Sequence, residues 1–104
     1  MNIAYHVTPA RNLKPILREG LIPRRGRRAR DAREPSKSIW LFADREAFEY
    51  GVMNWLDNMF SDRTRLAVLG VDVSGDACVR NGIELRVPGW ISPKRIIVIT
   101  SDLK

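Results

Sequence analysis

Ile3-Ala4-Tyr5-His6-Val7-Thr8, followed by Asn12 to Ile22, is the stretch whose reading decides the fold. Ile3 to Thr8 alternates apolar and polar-capable residues and carries β-branched Ile3, Val7 and Thr8, which predicts a short strand. Asn12 then caps a helix in which Leu13, Ile16 and Leu17 share one face. Gly20 stands where a left-handed C′ residue is wanted, and Leu21 is placed to touch Ile16. Pro15 fits only within the first turn and holds the helix to about two turns, since an interior proline costs roughly 3 kcal/mol. The chain's one histidine, His6, therefore closes the first strand just before a pinned turn. Two roles suit it there: satisfying backbone groups at a strand end, or presenting an imidazole to a ligand from a rigid base.

Working outward, 104 residues make a single domain, residues 1–104, with room for one core. A content of 44% hydrophobic and 29% charged residues places the chain in the soluble globular class. No apolar run approaches the ~20 residues that span a bilayer, and the N-terminus lacks the order of a signal peptide, so the reading is cytoplasmic. Cys78 is alone and cannot staple the fold. One histidine and one cysteine make no zinc framework, so no metal is expected. A Cys–His nucleophilic pair is disfavoured because Cys78 adjoins Val79 in what reads as a strand. The net charge of +6 and a pI near 10.2 favour an anionic partner.

After Pro23, the residues Arg24, Arg25, Arg27, Arg28, Arg30 and Arg33 crowd around Gly26. Glycine, proline and like charges predict a loop that runs to Ser36. Guanidinium forks match phosphate oxygens, so this loop suits a dinucleotide pyrophosphate or a nucleic-acid backbone, and a solvated basic loop is the bland alternative.

Ser38 to Phe42 reads as a second strand, with Trp40 and Phe42 on one face and Ile39 and Leu41 on the other; either pair could be buried. Asp44 caps a long helix whose apolar stripe includes Ala47 or Phe48, Gly51, Val52, Trp55, Leu56 and Met59. Leu66 to Val73 is nearly continuously apolar, as in a strand buried on both faces. Ser74-Gly75-Asp76 turns it. A short strand at Cys78-Val79 leads through Asn81-Gly82 into Ile83 to Val87, where Glu84 and Arg86 face away from Ile83, Leu85 and Val87. Pro88-Gly89-Trp90 and Pro93 break the chain before a last strand from Arg95 to Ile99. Two early helices followed by strands predict an α+β fold with a largely antiparallel sheet or two packed sheets.

A histidine closing the first strand, an aromatic in the second and a carboxylate on a late strand resemble, in this order, the His-Tyr-Glu branch of the ADP-ribosyltransferase superfamily. The poly(ADP-ribose) polymerases belong to that branch, and RNA 2′-phosphotransferases and DNA-targeting ADP-ribosyltransferase toxins are related to it. The matching pieces are Tyr5-His6-Val7-Thr8, Asn12-Leu13 with Ile16-Leu17 and Gly20-Leu21, Ile39-Trp40-Leu41-Phe42-Ala43-Asp44, Glu84 with Val87, and Ile91-Ser92-Pro93 leading to Ile96.

The resemblance implies a compact ADP-ribosyltransferase-like split antiparallel β-sandwich with two helices and a cleft that binds NAD in a bent shape. It implies transfer of ADP-ribose to a protein or nucleic-acid acceptor. Breaking the nicotinamide–ribose bond creates an oxocarbenium-like centre, which a carboxylate on the adjacent 2′-hydroxyl can stabilise and orient. Glu84 takes that role by resemblance. His6 would bond the adenosine ribose, Val7 would offer its main chain to the nicotinamide amide, and Thr8 would add a hydroxyl. Trp40, or Tyr50 on the following helix, would stack on the nicotinamide. Arg24, Arg25, Arg27 and Arg28 would hold the pyrophosphate.

Trp40 stands where the branch has tyrosine, and a strict alignment on Phe42-Ala43-Asp44 puts Leu41 there instead. Gly82 stands two residues before Glu84, so the paired-glutamate pattern of arginine-modifying transferases is absent. The alternatives are a nucleic-acid- or nucleotide-binding module on a degenerate transferase fold, and an RNA 2′-phosphotransferase-like enzyme. The transferase reading requires His6, Trp40 and Glu84 to line one cleft, on the same side of the sheet.

Overall fold

A computed structural model of the chain describes residues 2–23, 38–54, 64–75 and 78–103. The described elements are β1 (Ile3–Pro9), α1 (Leu13–Glu19), β2 (Ile39–Phe42), α2 (Arg45–Asn54), β3 (Leu66–Asp72), β4 (Val79–Asn81), β5 (Glu84–Val87) and β6 (Ile96–Leu103). The strands form a six-stranded sheet in the order β4-β5-β2-β1-β3-β6, and every neighbouring pair is antiparallel. The fold is thus α+β with an antiparallel sheet, as the sequence predicts. No described helix is long and apolar enough to cross a membrane.

Side chains of a strand alternate between faces, and residues directly opposite on neighbouring strands share one. Ala4, Ile39, Leu41, Leu69, Val71, Leu85, Val87 and Ile96 form one buried face, against which Leu13 and Ile16 of α1 pack. The register sets Tyr5, Phe42 and Gly70 together on the opposite face, where α2 lies. There Tyr5 stacks on Phe48 with ring centroids 5.3 Å apart, and Phe48 meets the Phe42 ring edge-on. Both halves of the Ile39–Phe42 alternation therefore bury apolar groups. Ile39 and Leu41 pack toward α1, Phe42 packs toward α2, and Trp40 is the partly exposed member.

Local chemistry sets the ends of these elements. Asp44 caps α2 by accepting a bond from the Ala47 amide at 2.8 Å. Asn12 departs from its expected role: its backbone is already helical, a 3₁₀ turn over Ala10–Asn12 precedes α1, and its amide donates instead to the Thr8 hydroxyl at 3.1 Å. Gly20 has the expected positive φ of +88° but an extended ψ of −173°. That conformation sends the chain directly into a bridge in which Leu21 and Ile91 exchange backbone bonds at 2.9 and 3.0 Å. The last strand outruns its expected end at Ile99 and reaches Leu103. Trp55, Leu56 and Met59, assigned to the stripe of α2, lie outside the described residues.

The sheet is not equally knit. β1 pairs with β3 from Ile3 through Pro9, and β2 pairs with β5 along its whole length, yet β1 and β2 meet in a single pair, Tyr5 with Phe42. Beyond it the strands part, leaving a β4-β5-β2 half and a β1-β3-β6 half.

The contact of α2 with this junction yields a stability prediction. Glycine inside a helix normally gains about 1 kcal/mol on replacement by alanine. At Gly51, however, a Cβ would fall 2.3 Å from the Phe42 ring, and overpacking costs about 1–3 kcal/mol. Gly51→Ala should therefore lower the urea midpoint; a raised midpoint would show that the Phe42 ring yields.

Candidate functional site

A cleft of about 400 Å³ opens between α1 and the parted ends of β1 and β2. His6 and Thr8 enter it from β1, and Asn12, Pro15, Ile16, Glu19 and Gly20 from α1 and its ends. Ile22 and Ser38, which flank the arginine-rich segment, line it together with Ile39 and Trp40.

His6 is partly buried and sits on the α1 face of β1. Its Nδ1 lies 2.7 Å from the Trp40 carbonyl. A carbonyl can only accept, so Nδ1 carries the proton and Nε2 keeps a lone pair. Burial pushes the His6 pKa below its ordinary value, and the bond to Trp40 offsets part of that shift. The ring is thus held neutral near pH 7, with Nε2 as an acceptor. Among the described residues Nε2 has no hydrogen-bond partner. The role of satisfying a backbone group is seen at Nδ1.

The same place explains where Val7 sends its main chain. Val73 N–H donates to the Asn2 carbonyl at 2.9 Å and Ala10 N–H donates to the Arg65 carbonyl at 2.8 Å. Even-numbered residues of β1 therefore bond β3, and odd-numbered ones direct N–H and C=O toward β2. A continued ladder would join Val7 to Trp40 by reciprocal backbone bonds, but the pairing stops at Tyr5. The Trp40 carbonyl is taken by the imidazole, and Val7 presents its main chain to the parting.

Two buried hydroxyls complete the polar lining. Thr8 accepts from Asn12, which leaves its own proton to donate. Ser38 Oγ is buried and has no partner among the described residues.

Glu84 is placed elsewhere. It lies opposite Phe42, which lies opposite Tyr5, so its side chain is on the α2 face while His6 is on the α1 face. It does not line the cleft. The requirement that His6, Trp40 and Glu84 share one side of the sheet is not met, because strand alternation combined with this register sends them to opposite sides. Trp40 contributes its carbonyl to the cleft. Its ring is on the α2 face, with the Arg86 guanidinium 5.5 Å from the ring centre. Tyr50 is half-exposed on α2, outside the cleft wall. Arg24, Arg25, Arg27, Arg28, Arg30 and Arg33 lie outside the described residues.

Two lining residues were not singled out in the sequence. Ser38 looked like the edge of a strand, and its burial comes from the fold. Glu19 is the carboxylate on the cleft wall, paired loosely with Arg18 at 3.7 Å. An acidic residue in the last turn of a helix opposes the helix dipole, which is the signal that could have marked it.

Compared with known protein families, curated proteins and solved structures, the chain matches none.

The lowered histidine pKa has a signed consequence. Below the ordinary value of 6.5, the unfolded chain takes up a proton that the folded chain resists, so stability is full above that value and falls as pH drops through it. The single imidazole should titrate below 6.5 by NMR, and the urea midpoint should fall between about pH 7.5 and about pH 5.5 more steeply in the wild type than in His6→Asn. An imidazole titrating at or above 6.5 would remove this account of the ring.

Proposed function

We propose that the chain is a nucleotide-binding module on a degenerate transferase fold, in which NAD lies in the parting between β1 and β2. The observation that carries this reading is the broken β1–β2 ladder. It leaves Val7 with a main-chain donor and acceptor side by side, which suits a carboxamide, and it fixes His6 with Nε2 as acceptor. Thr8, with a proton to donate, stands on the same face as His6. An acceptor and a donor so placed suit the two hydroxyls of a ribose.

On this reading His6 and Thr8 hold the adenosine ribose from the α1 side, and Val7 binds the carboxamide at the edge. Glu84 and the Trp40 ring lie on the α2 side, away from these groups. The arginine-rich segment departs beside Ile22 and returns at Ser38, both on the cleft wall, which supports Arg24, Arg25, Arg27 and Arg28 as pyrophosphate donors.

The position of Glu84, on the face opposite His6, favours this module over the second reading, an NAD-dependent ADP-ribosyltransferase, which needs NAD to cross the parting to reach Glu84. Nicotinamide release and NAD binding, measured on the same samples, separate the two. The transferase should lose turnover on Glu84→Gln and keep NAD affinity within a few-fold, whereas His6→Ala should weaken NAD binding about tenfold through loss of one hydrogen bond. Turnover undiminished in Glu84→Gln but lost in Glu19→Gln would move the chemistry to the α1 side. NAD binding with no turnover in the wild type would establish the module, and no binding at millimolar NAD would end both readings.

A further inference from the structure

Trp90 carries a large aromatic surface into solvent, 58% exposed, and its orientation is fixed. Its Nε1–H donates to the Glu19 carbonyl at the end of α1, at 2.8 Å. The turn beneath it is closely packed: a Cβ on Gly20 would fall 2.2 Å from the Ile91 carbonyl oxygen and 2.8 Å from Trp90 Nε1. Ile91, fully buried, supplies the apolar anchor of this turn, so the indole is not needed for the core. Glu19 and Gly20 line the cleft, which sets the indole at its rim.

We propose that Trp90 is a stacking platform for a base of single-stranded nucleic acid. Any base offers a π-face, and an indole whose polar atom is already bonded can be covered without stranding a donor. Because that bond holds the ring still, little conformational freedom is lost on stacking. Arg18 and Lys94 are exposed on the segments that meet at this end of α1, and the chain's net charge of +6 favours a polyanion. As an acceptor site the platform rests on the transferase reading; as a binding site it does not.

The test uses the full chain and an oligoadenylate of roughly eight nucleotides, read by tryptophan fluorescence and by anisotropy of a labelled strand. Wild-type protein should bind with quenching. Trp90→Leu should bind about tenfold more weakly while NAD affinity on the same samples stays unchanged, and Trp90→Phe, which keeps a ring, should recover most of the loss. If Trp90→Leu does not fold, Trp90→Phe against Trp90→His supplies the comparison, with the weaker stacker expected to bind less. Oligoadenylate binding that is absent in the wild type, or equal in the leucine variant with NAD binding intact, overturns the platform. Trp90-dependent oligonucleotide binding without any NAD binding overturns both readings of the cleft and leaves the platform standing.

Discussion

The hydrogen bond from His6 Nδ1 to the Trp40 carbonyl, 2.7 Å long, is the contact on which the site depends. Between β1 and β2 the backbone ladder provides one pair, Tyr5 with Phe42, and beyond it the imidazole takes the place of the amide that would have bonded Trp40. A side chain reaches farther than a backbone amide, so the two strands can stand apart and still satisfy that carbonyl. A buried carbonyl left without a partner would cost about 1–3 kcal/mol. The bond also selects the tautomer, and with burial it fixes the charge state of the ring. One contact thus shapes the gap, satisfies its wall and leaves an acceptor nitrogen in it.

Much of the fold was legible because local signals agreed with one another. β-branched alternation marked β1, the apolar run marked β3, and Asp44 and Gly20 marked helix ends by the bonds and dihedral they make. The candidate cleft was legible in part: His6 follows from a strand running into a pinned turn, and Thr8 from the family resemblance. Ser38 and Glu19 were not, since burial of the one and the cleft-facing place of the other arise from α1 lying over β1 and β2. Asn12 misled because its amide bonds Thr8, four residues earlier, in place of the helix end. No sequence rule chooses between those two uses of an asparagine.

The faces of the strands show where such a reading runs out. Alternation within β2 and within β5 was correct, with Trp40 opposed to Leu41 and Glu84 opposed to Leu85. What alternation cannot supply is the phase between strands, which is set by register. Tyr5–Phe42–Glu84 form one cross-strand row, and that row places His6 and Glu84 on opposite sides. A shift of one residue in the β1–β2 register would have put them together. Registry here is fixed by two buried faces, because a slip would drive Leu41 and Leu85 out of one core and Phe42 out of the other.

The ion pairs among the described residues contribute less than these buried faces. Each ion pair between described residues, Arg18–Glu19, Arg45–Glu49, Arg65–Asp102 and Arg80–Asp44, is solvent-exposed, and pairs of that kind contribute roughly 0–1 kcal/mol. Burying Leu69, Ile91, Val68 and Val71 almost completely contributes about 1.5–3 kcal/mol for each side chain. The apolar faces therefore outweigh these ion pairs in holding the fold. A surplus of 18 basic over 12 acidic residues costs self-repulsion, which a bound anion would relieve. Six of those basic residues, Arg24, Arg25, Arg27, Arg28, Arg30 and Arg33, fall in the sequence between Ile22 and Ser38, both of which line the cleft.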